Sequence, residues 1–164
     1  MNLEKSFGAP ARAERDGHWF KAVDVFKDVP GFIDADDPAE IKLAGAGMSN
    51  PNYLRKVRDE LSKSDSFRKI YKGRDKKGRD KEIDSVDFLA DIENTEAAER
   101  HTIAETVVLD WRGFTDASGA DIPYTPEYMV TVFKQFPRLF DAIRQFVSDI
   151  DNFRIESLED DVKN

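Results

Sequence analysis

The sequence predicts an α+β domain, predominantly α-helical, in which a short N-terminal β-hairpin is followed by about four helices. Three observations predict it. Aromatic and β-branched residues crowd "HWFKAVDVFKDV" (His18–Val29), and "IKLAGAG" (Ile41–Gly47) follows after a loop rich in Pro and Asp. From Asn50 onward the apolar residues recur at spacings of three and four. The chain has 164 residues, enough for one buried core.

Residues 1–17 are polar, carry Gly8, Pro10 and Gly17, and hold no sustained period, so they are expected to form a flexible arm. The two expected strands, joined across "PGFIDADDPAE" (Pro30–Glu40), would pair antiparallel. "GAG" (Gly45–Gly47) lacks the third glycine and the downstream acidic residue of a dinucleotide fingerprint, and a turn explains it. In "SNPNYLRKVRDELSK", Asn50 is placed as N-cap and Pro51 at the first helical position, with Tyr53, Leu54, Val57 and Leu61 on one face.

The pentapeptide "KGRDK" then occurs twice in tandem, at Lys72–Lys76 and Lys77–Lys81. From Arg68 to Lys81 there are eight basic and two acidic residues, a local net of +6 in a chain of net charge −8. Two readings stand for the basic loop at 72–82: a contact for nucleic acid or an acidic partner, or a solvated loop between helices. The tandem copies contain no aromatic residue to stack on bases.

A long helix is expected from about Asp84 to Asp110, with Val86, Leu89, Ala97, Ala104, Val107, Val108 and Trp111 on one face. If continuous it would span roughly 40 Å. "DWRGFTDASGADIPYTPE" (Asp110–Glu127) then reads as a connector: Gly113 breaks the helix, the Asp-rich stretch turns, and Thr125-Pro126-Glu127 restarts a helix. Trp111 would close the core with its indole N–H on a loop acceptor, and Tyr124 would close the other side of the turn. Met129, Val132, Phe133 and Phe136 stripe the next helix. Leu139, Phe140, Ile143, Phe146, Val147, Ile150 and Phe153 stripe the last, which Pro137 begins. Residues 154–164 form an acidic tail, leaving one domain over residues 18–153.

The chain has no cysteine, which removes disulfide, thiolate and zinc-thiolate chemistry. Its two histidines, His18 and His101, have no companion at ligand spacing. Asp116, Ser118 and Glu127 fit positions one, three and twelve of a calcium loop, but Asp121 stands where the glycine is needed and Pro123 where an aliphatic residue is needed. The carboxylates of Asp34, Asp36 and Asp37 lie in a polar run, where solvation is the better account. No catalytic, cofactor or metal residue is therefore assigned, and an enzyme is the least favoured class. The acidic balance disfavours nonspecific binding to nucleic acid and favours basic partners. The opening has no apolar signal region and the chain no run of membrane-spanning length, so a cytosolic protein is expected.

"NPNY" (Asn50–Tyr53), "AETVVLDWRGFTDASGADIPYTPE" (Ala104–Glu127) and "FVSDIDNF" (Phe146–Phe153), in that order, resemble tail assembly chaperones of long-tailed bacteriophages. The likeness covers roughly Trp19 to Phe153 and is most specific in the final fifty residues. It implies a nonenzymatic protein of the host bacterial cytoplasm that binds the tape measure protein, recruits tail tube protein around it, and is absent from the mature virion. Helix-in-groove capture of the tape measure would suit Phe133, Phe136, Phe140 and Phe146, with Trp111 and Tyr124 beside them as partner-binding candidates. Two other classes stand beside this one: a structural tail component retained in the virion, and a small nucleic-acid-binding regulator using the basic loop.

Overall fold

A computed structural model describes residues 9–31, 36–63 and 85–154. The elements run α1 (Ala9–Asp16), β1 (His18–Lys21), α2 (Ala22–Val25), β2 (Glu40–Leu43), α3 (Pro51–Lys63), α4 (Ser85–Thr106), β3 (Val108–Arg112), α5 (Pro126–Gln135) and α6 (Pro137–Ser148). A last helical turn follows at residues 150–154. The basic loop and residues 155–164 of the acidic tail lie outside the described residues.

The three strands form one antiparallel sheet in the order β1-β2-β3. This overturns the expected hairpin followed by four helices. β3 comes from the middle of the chain, out of sequence assigned to the end of the long helix, and helices stand before, between and after the strands. The first expected strand is also shorter, since the chain turns into α2 at Ala22, and the supposed arm contains α1.

The physical reason for the missed strand is a bulge. Leu43 pairs with Val108 and Lys42 with Asp110, which leaves Leu109 as an extra residue in β3. The bulge lets Val108 and Trp111, three apart, both face the core. Together with Ile103, Ala104 and Val107 they repeat at helical spacing, so the alternation of two that marks a strand is absent.

One face of the sheet is apolar: Phe20, Ile41 and Trp111 align across the three strands and are all buried. On the opposite face Lys21, Glu40 and Arg112 align. There the Arg112 guanidinium pairs with the Glu40 carboxylate and lies 4.4 Å from the centre of the Trp19 ring. Alternation along β1 and β2 thus separates core from solvent.

The end of α4 is buried, so its last carbonyls need donors. Ile103 accepts from the Val107 N–H, Ala104 lies 2.5 Å from the Tyr124 hydroxyl, and Thr106 accepts from Asn50 Nδ2 at 3.0 Å. Asn50 is fully buried, and both its amide nitrogen and its amide oxygen are hydrogen-bonded. Its Nδ2 also donates to the Gly45 carbonyl at 2.9 Å, while Oδ1 accepts from the Tyr53 N–H as the N-cap of α3. One side chain therefore starts α3 and finishes α4, and Lys56 with Glu105, 2.7 Å apart, ties the two helices again at the surface.

Residues 44–46 are stitched by backbone to two helices and a turn: Ala44 N–H to the Val107 carbonyl between α4 and β3, Gly45 N–H to Glu14 in α1, and Ala46 N–H to Val147 in α6. These approaches favour the small residues found there. The core joins the inner sheet face to Ile103 and Ala104 of α4, Val107 at the α4–β3 turn, Met129 and Phe133 of α5, and Leu139, Phe140, Ile143 and Val147 of α6.

Candidate functional site: an apolar groove beside Trp111

After β3 the connector closes on itself as a tight hairpin. The Ile122 N–H donates to the Phe114 carbonyl, Thr115 bridges Asp121, and the Asp116 N–H donates to the Ala120 carbonyl. The Asp116 carboxylate accepts from the Ser118 N–H at 2.8 Å, the Ser118 hydroxyl at 2.6 Å and the Ala120 N–H at 3.1 Å. These donors, the Ser118 hydroxyl first, hold its pKa below the usual carboxylate value. Asp116 is thus the internal ligand of its own turn.

The hairpin leans over Trp111. Its indole N–H donates to the Ile122 carbonyl at 2.7 Å, which is the loop acceptor this side chain requires. Phe114 lies against the indole at 5.0 Å between ring centres, and Tyr124 and Tyr128 meet it edge-on at 5.4 and 5.8 Å. Tyr124 is held from behind, its hydroxyl within reach of the Ala104 and Val108 carbonyls. Burial, reinforced by Asp110, Glu127 and Glu105, pushes its phenol well above the ordinary tyrosine value.

On the other side stands α5. Thr125 caps it, its hydroxyl oxygen accepting from the Tyr128 N–H, and Pro126 occupies the first turn. Tyr128, Val132 and Phe136 follow at intervals of four, so they stack along one side of the helix. Between hairpin and helix is a groove of about 210 Å³. Trp111, Ile41 and Phe26 line it with Phe114, Ile122 and the α5 side chains. Three of the lining residues are exposed: Thr115 and the two large aromatics, Phe136 at 56% and Tyr128 at 41%.

Phe136 sits at the corner between α5 and α6. Its N–H donates to the Val132 carbonyl and its own carbonyl accepts from the Leu139 N–H. The backbone is fixed there while the ring projects outward, which makes it a preorganised contact.

The six partner-binding candidates are therefore divided. Trp111 and Phe136 share the groove, with Tyr124 behind Trp111. Phe133 and Phe140 meet edge-to-face at 4.9 Å inside the core, where Phe133 is fully buried. Phe146 packs on Phe20 at 4.9 Å, away from the groove. The phenylalanine stripe does not form one open surface, because successive stripe positions serve core and groove in turn. Tyr128, Phe114, Ile122 and Val132 were not singled out as binding residues from the sequence. The interval of four linking Tyr128, Val132 and Phe136 was the signal for the helical part, while the hairpin part depends on the unrecognised β3.

Among the described residues no three His, Asp or Glu side chains converge as a metal site. Nor is any described helix long and apolar enough to cross a membrane.

These features define a small helix-rich domain around a three-stranded sheet, with an exposed aromatic groove beside Trp111. Residues 57–164, about two thirds of the chain, match the YdaY prophage protein family. The chain belongs to that family and is a phage protein. The matched span contains β3, the hairpin, α5 and α6, and so most of the groove. No curated protein and no solved structure matches the chain.

Proposed function

We propose that this phage protein is a nonenzymatic tail assembly chaperone, which binds the tape measure protein through the Trp111 groove and recruits tail tube subunits. It acts in the host bacterial cytoplasm and leaves before the virion is complete. The observation that carries the reading is the projecting Phe136 ring beside an apolar groove, on a chain of the prophage family. A large aromatic side chain held at a fixed corner and left half in water is the arrangement expected of a binding hot spot. Helix-in-groove docking matches a groove bordered by one helix and one hairpin. The net charge of −8 would keep both chaperone and apolar cargo in solution.

The test is capture of partners by the tagged protein from prophage-induced cells, with mass spectrometry of the eluate and of purified virions. Tape measure and tube proteins in the eluate, with this chain missing from virions, are expected. Abundance of the chain in virions would make it a structural tail part instead.

A further inference from the structure

We infer that the Trp111 groove takes an amphipathic helix with a basic flank, its apolar side chain seated between Phe114, Tyr128 and Phe136. The inference rests on the protein-binding reading above and specifies the chemistry of the partner.

Two observations carry it. The first is size. At about 210 Å³ the groove falls below the roughly 300 Å³ at which pockets begin to enclose a free small ligand. It suits one large apolar side chain delivered by a longer polymer, with Phe136 and Tyr128 closing around that anchor.

The second is charge. Phe114, Thr115, Ile122, Tyr128, Met129 and Val132 supply most of the lining, and all fall between Arg112 and Lys134. In that stretch the chain carries three carboxylates, Asp116, Asp121 and Glu127, and no lysine or arginine. All three are exposed. Asp121 stands opposite Thr115 in the hairpin bridge, and Thr115 lines the groove, so their side chains emerge on the same face. The cations beside lining residues are directed elsewhere: Arg112 is engaged with Glu40 and Trp19 on the outer sheet face, Lys42 pairs with Trp19 on that same face, and Lys27 and Arg138 line a separate groove between α2 and α6. Lys134 falls midway between Val132 and Phe136, which puts it on the far side of α5. The groove is thus an apolar slot in a net-negative wall, and an acidic helix would be repelled from it.

Two synthetic helical peptides with one shared leucine and phenylalanine stripe, flanked by lysine in one and glutamate in the other, test this by fluorescence polarisation with the full chain. At low salt the lysine peptide is expected to bind at least about tenfold more tightly. That preference should shrink severalfold in the doubly neutralised Asp121→Asn, Glu127→Gln variant, and Phe136→Ser should abolish binding of both peptides. Thermal melts establish that the variants fold; Asp116 is left intact because it holds the turn. Equal affinities, a preference for glutamate, a preference untouched by the neutralised pair, or no binding of either peptide would each overturn the inference. The readings fail separately: tape measure capture at Phe136 without lysine preference leaves the chaperone role standing. A lysine preference without tape measure capture leaves the groove chemistry standing.

Discussion

Trp111, Tyr124 and Asn50 show how single side chains in this protein finish elements that the backbone leaves open. The Tyr124 hydroxyl faces two carbonyls, one of them an end-of-helix carbonyl of α4. Tyr124→Phe keeps the ring and removes the donor, and a loss of about 1–2 kcal/mol is expected in urea unfolding. The raised phenol adds a pH signature. Above the ordinary tyrosine value of about 10 the unfolded chain loses this proton while the folded chain keeps it, so stability falls as pH rises. Unfolding curves at rising alkaline pH should show a shallower decline in Tyr124→Phe than in the parent. Asn50→Ala removes the cap of α3 and leaves the Gly45 and Thr106 carbonyls without that donor, a cost of about 2–4 kcal/mol in the same assay. By contrast Phe136, 56% exposed and held at the α5–α6 corner by backbone hydrogen bonds, should lose no more than about 2 kcal/mol in Phe136→Ser.

At the scale of elements, the parts legible in the sequence were those with local chemical punctuation. Asn50-Pro51 and Thr125-Pro126 mark the starts of α3 and α5, and each cap makes the hydrogen bond its residue type suggests. β3 was illegible because its bulge gives a strand the spacing of a helix, and only pairing with β2 reveals it. α1 was missed because eight residues with alanine, proline and charge offer too little pattern. Its end, however, is written in Gly17. That residue has φ +80° and donates its N–H to the Ala13 carbonyl, while an added Cβ would meet Leu109 Cδ1 at 2.5 Å. Gly17→Ala should therefore lower stability by more than about 1 kcal/mol, and by more than Gly119→Ala. Gly119 has the same sign of φ, but its Cβ would enter open space. A chemical denaturation comparison of the two variants separates contact from backbone strain. The groove was half legible: Trp111 and Phe136 stood out as large aromatics, but their meeting required the strand and hairpin that the sequence concealed.

The described residues combine a buried core with an exposed aromatic groove, in a chain of net charge −8 that belongs to the YdaY prophage protein family. A basic, helical and apolar cargo segment satisfies the charge and the groove together. The most direct test is quantitative capture of the tape measure protein from induced cells by the parent chain and by Phe136→Ser, normalised to folded protein. The account predicts at least a tenfold loss of tape measure in the variant, the scale of a hot-spot side chain. Equal capture by both proteins, or no tape measure with the parent, would contradict it.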